Sequence, residues 1–100
     1  MIYAWHLDDN REIYLQNEGT QTSAMLREPD AQGWHRLFET GRWSTPPILL
    51  RTSTDELVLQ ISTQRGHIFL RVEAQGLSFL ESPPILIGSE ILPHEQVSQK

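Results

Sequence analysis

Between Leu57 and Ala74 apolar residues recur at every second position, across a short break that contains a glycine. Leu57, Leu59 and Ile61 form one row, and Ile68, Leu70, Val72 and Ala74 form another. Successive side chains of a strand point to opposite faces, so each row can line one buried face. On a helix the same spacing would scatter these groups around the cylinder. The intervening residues read Val58, Gln60, Ser62 and then His67, Phe69, Arg71, Glu73. They are mostly polar, the pattern of an antiparallel sheet covered on one side only. Thr63-Gln64-Arg65-Gly66 is short enough to force an antiparallel return, and Gly66 can take a positive φ without a Cβ clash. A slip of one residue would turn the leucines outward, so the pattern specifies the register.

The same reading extends along the chain. Residues 2–7 alternate, with Tyr3, Trp5 and Leu7 on one side, and Glu12 to Asn17 resumes with Ile13 and Leu15 inward. Asp8-Asp9-Asn10 between them is turn chemistry, because these side chains bond local backbone. Thr20 to Arg27 puts Thr22, Ala24 and Leu26 on one face, and its hydroxyl residues favour a strand. After the Glu28–Gly33 loop, residues 34–40 read as a strand with Trp34, Arg36 and Phe38 on one face. The alternative is a short helix near 31–40, capped by Asp30. Pro46-Pro47 rules out a central strand in the connection that follows. Residues 48–52 and 77–81 are further strands, and Ile85-Leu86-Ile87 is a last apolar run. Pro-Pro-Ile-Leu occurs twice, at 46–49 and 83–86, a stiff entry to an apolar segment rather than a repeat. The expected fold is all-β: a single small antiparallel β-barrel or sandwich of about six to eight short strands over residues 1–92. Residues 93–100 are a polar C-terminal tail expected to fray.

A chain of 100 residues allows one domain, and it buries roughly 60–70% of its unfolded surface without staples. There is no cysteine, which removes disulfides and thiolate metal sites. The first residues carry no basic region followed by an apolar run, and nothing approaches the ~20 apolar residues of a membrane span. A cytoplasmic location is expected. The net charge of −5 disfavours a general binder of phosphate backbones. The single lysine is Lys100, so a Schiff base or a phosphate-loop lysine has no residue to use.

Chemistry-bearing residues are present but not in patterns. His6, His35, His67 and His94 form no ligand-spaced pair, and Asp8, Asp9, Asn10 and Glu12 lack the regular spacing of a calcium loop. No serine stands in a nucleophile motif. The expectation is a protein that is not an enzyme and holds no cofactor or metal. The aromatics carry more. Phe69 shares a strand face with His67, Arg71 and Glu73, and Trp43 lies in a proline-rich connection. An aromatic beside an arginine is the chemistry of a protein-interface anchor. Trp43, Phe69, Arg71, Trp34 and His67 are therefore the candidate protein-binding residues, with Ile85–Ile87 as a further contact surface. The expected function is a protein-interaction or assembly module, with a protein partner or a second copy as a homodimer. One alternative is a barrel holding a small apolar ligand beside Trp5 and Trp34. Another is single-stranded nucleic-acid binding through stacked aromatics, which the acidic balance opposes.

Overall fold

The two rows meet as the alternation requires. In the computed structural model Leu57 faces Val72, Leu59 faces Leu70, Ile61 faces Ile68, and Thr63 closes the turn against Gly66. Leu59, Ile61 and Leu70 are sealed in the core, while Phe69 lies on the opposite side, partly buried. Gly66 has a φ of 123°, the positive value that the tight return needs. The structure describes residues 2–7, 10–29, 32–73, 76–82 and 84–97, with 95–97 described by backbone only. Asp8, Asp9, Asp30, Ala74, Pro83 and Lys100, named in the sequence analysis, lie outside the described residues.

Ten strands are described: β1 (Ile2–His6), β2 (Glu12–Glu18), β3 (Gln21–Arg27), β4 (Trp34–Glu39), β5 (Ile48–Arg51), β6 (Leu57–Thr63), β7 (Gly66–Glu73), β8 (Gly76–Phe79), β9 (Glu90–Leu92) and β10 (Glu95–Val97). They form two five-stranded antiparallel sheets, ordered β10-β1-β2-β3-β4 and β8-β7-β6-β5-β9. Among the described residues the two ladders are separate, which gives a sandwich-like arrangement of two sheets around one core with no closed barrel. Tyr3, Trp5, Ile13, Leu15, Ala24 and Leu26 of the first sheet pack on Leu49, Leu59, Ile61 and Leu70 of the second. Residues 34–39 are a strand and not a helix. Each residue from Trp34 to Glu39 pairs with β3, and Trp34, Arg36 and Phe38 share one face.

Three features depart from the sequence expectation. The strands exceed eight because two short ones, β9 and β10, add to the edges at β5 and β1. β10 falls in the stretch read as a polar tail. Its backbone pairs with Ile2, Tyr3 and Ala4, and a ladder of N–H and C=O groups does not require apolar side chains. The apolar run at 85–87 is not a strand. It belongs to the long connection from β8 to β9, and it is Glu90–Leu92 that pairs with the edge of β5. The outer face of the second sheet is also less open than its polar composition implies. Val58 is 2% exposed and lines a cleft with Leu80, Pro84 and Ile85 of that connection.

Candidate interaction surface

The outer face of the second sheet is built by cross-strand pairing. β7 presents His67, Phe69 and Arg71 opposite Ser62, Gln60 and Val58 of β6. Each polar member is held. The Arg71 guanidinium meets Glu56 at 2.7 Å, and Ser78 donates to Glu73 at 2.9 Å. The Ser62 hydroxyl contacts His67 Nδ1 at 2.8 Å, and the His67 ring stands 6.3 Å from that of Phe69. Fixing these side chains lowers the entropy lost when a partner covers them. The row continues from Arg71 through Val58 and Leu50 to Ile91 on β9.

Along the β8–β9 connection Pro84 and Leu86 are partly buried while Ile85 and Ile87 alternate outward. Ile85 is 80% exposed, Ile87 85%, and Ile91 67%. Single exposed apolar residues are ordinary, but three isoleucines fall within residues 85–91, and Ile85 shares a cleft with Arg71 and Val58. Ile91 was not singled out by sequence. Its signal was the apolar pair Ile91-Leu92, which is too short to show a period and reads equally as a loop.

The five residues proposed from sequence do not come together. His67, Phe69 and Arg71 share the outer face; Trp34 and Trp43 sit at the seams between the sheets. The Trp34 indole N–H donates to the Glu73 carbonyl at 3.2 Å, tying β4 to β7. The Trp43 indole N–H donates to Thr22 Oγ1 at 3.0 Å, and its ring lies 6.0 Å from Tyr3. Both pack against the core. Trp5, expected to line a ligand cavity, is sealed within that core. On the outer face of the first sheet, Tyr14 donates to Glu12 at 2.9 Å and lies under the Arg27 guanidinium. Burial first, then the hydrogen bond and charge of Glu12, push the Tyr14 pKa up from 10.0, against a smaller opposite pull from Arg27.

Among the described residues no cluster of three His, Asp or Glu could hold a metal ion, and no helix is long and apolar enough to cross a membrane. No family model, curated protein or solved structure matches the chain.

Proposed function

We propose that this protein is a non-catalytic interaction module. It docks a protein partner on the outer face of its second sheet and the isoleucine margin beside it. The observation that carries this reading is the exposure of Ile85, Ile87 and Ile91, with Ile85 lining a cleft beside Arg71, which Glu56 holds on the strand face that also carries Phe69. Apolar side chains ringed by ordered polar groups are the composition of an interface core and rim. A second copy of the chain and a different protein would use the same surface.

The test compares the wild-type chain with an Ile85→Asp/Ile87→Asp double variant and a Glu18→Gln control on the other sheet. Sedimentation across a concentration series reads self-association, and quantitative capture from the native cell reads a different partner. Loss of anchors of this kind is expected to weaken association by roughly 30-fold or more. A wild-type chain that stays monomeric and captures nothing that the double variant fails to capture would remove the proposal.

A further inference from the structure

We infer that the cleft between the β4–β5 crossing and the β6–β7 turn binds an oxyanion, the phosphate or carboxylate group of a ligand. The cleft lies at the end of β6 away from the isoleucine margin and does not depend on the interaction reading. Arg42 comes from the crossing and Arg65 from the turn, and Thr20, Gln64 and Glu39 also line it. Two arginines of the second sheet are paired, Arg51 with Asp55 and Glu90 and Arg71 with Glu56. Arg42 and Arg65 are exposed and reach no carboxylate of the described residues. Two unpaired guanidiniums from different loops, each a planar fork of donors, suit a shared anionic oxygen group. Thr20 and Gln64 can add neutral donors.

The two loops are already tied together. Trp43 bridges to Thr63, and Ser44 N–H donates to the Ser62 carbonyl at 2.8 Å. The Thr20 carbonyl accepts from both Thr40 and Gly41, at 3.1 and 2.8 Å, and Arg65 N–H donates to Thr63 Oγ1 at 3.1 Å. Binding therefore orders little backbone, which favours affinity. The cleft volume is ≈ 280 Å³. That lies just below the ~300 Å³ at which sites begin to enclose whole small molecules, so the cleft takes one group and leaves the rest of the ligand outside. Glu39 opposes an anion here, and the net charge of −5 repels one at long range.

The experiment is an amide NMR titration of the full chain with inorganic phosphate, and separately with acetate, each against sodium chloride at matched ionic strength. Saturable shifts are expected at Gly41, Arg42, Gln64 and Arg65. Arg42→Gln and Arg65→Gln should each weaken binding about tenfold, and the double variant should abolish it with its core methyl spectrum unchanged. Glu39→Gln should tighten binding by a few-fold, since it removes a like charge. The phosphate and acetate arms identify which oxyanion the site prefers. Shifts that chloride reproduces, that never saturate in either arm, or that persist in the double variant would overturn the assignment.

Discussion

Replacing Thr22 by valine removes one hydroxyl and almost no volume from a position with no exposed surface. The hydroxyl is the middle of a directed chain. The Trp43 indole N–H donates to Thr22 Oγ1, and Thr22 Oγ1 lies 2.7 Å from Thr40 Oγ1. Thr40 spends its single proton on the Gly41 carbonyl at 2.8 Å, so Thr22 must be the donor between the two threonines. Thr22→Val therefore deletes two hydrogen bonds and strands the Trp43 N–H. Each bond contributes about 1 kcal/mol net, and an unsatisfied buried donor costs about 1–3 kcal/mol. The added methyl returns roughly 0.8 kcal/mol of apolar burial. The expected net loss is about 2 kcal/mol, a fall in Tm of roughly 8–16 °C for a domain of this size. Urea unfolding followed by tryptophan fluorescence measures it, and the Trp43 indole N–H should lose protection from hydrogen exchange. Thr22→Ser keeps the hydroxyl and should retain that protection. A valine variant as stable as wild type, with the indole still protected, would refute this account of how the seam is held.

Gly33→Ala should cost more than about 2 kcal/mol, because the new Cβ would stand 1.8 Å from the Leu26 carbonyl oxygen and backbone must move. Gly41→Ala, with a φ of +88° and no atom near, should cost about 1 kcal/mol from backbone strain alone; thermal melts giving the reverse order would contradict this. The raised Tyr14 pKa predicts stability that is complete below pH 10.0 and is lost as pH climbs through the higher folded value. Chemical unfolding of Tyr14→Phe should show a shallower fall than wild type above that pH, and parallel curves would argue against the shift.

Much of the core could be read directly from period two. Tyr3-Trp5-Leu7, Ile13-Leu15, Thr22-Ala24-Leu26 and Leu59-Ile61 are each buried on the side their spacing assigns. Local alternation encodes which side of a strand faces in, and little else. Val58 sits in a mostly polar row, and nothing near it in sequence says that a connection beginning at Leu80 will lie beside it. β10 pairs through backbone groups that every residue carries, so its polar composition gave no sign. The isoleucines at 85 and 87 are legible as apolar, but the run itself does not say whether it or the later Glu90–Leu92 will pair with β5. Arg42 and Arg65 are ordinary loop arginines until the β4–β5 crossing and the β6–β7 turn are brought together.

The two tryptophans, singled out from sequence as candidates for binding, each have a structural use in the fold. Within a sheet, neighbouring strands are held by a ladder of backbone hydrogen bonds. Between the two sheets there is no such ladder, and side chains do the fastening, both in the core and where the chain itself passes across. It does so at residues 40–47 and again at 93–94. At each passage an aromatic group packs on Tyr3: Trp43 at 6.0 Å and His94 at 5.1 Å. Trp34 joins the opposite seam, where Phe38 and Phe79 meet edge to face at 5.6 Å. Rings with an N–H suit these places, since one end packs on the core while the other satisfies a carbonyl or hydroxyl. A large aromatic in a proline-rich connection is thus what a sandwich requires to fasten its crossing. In the proposed interaction reading, the groups offered to a partner are Phe69 on the outer face and the exposed Ile85, Ile87 and Ile91.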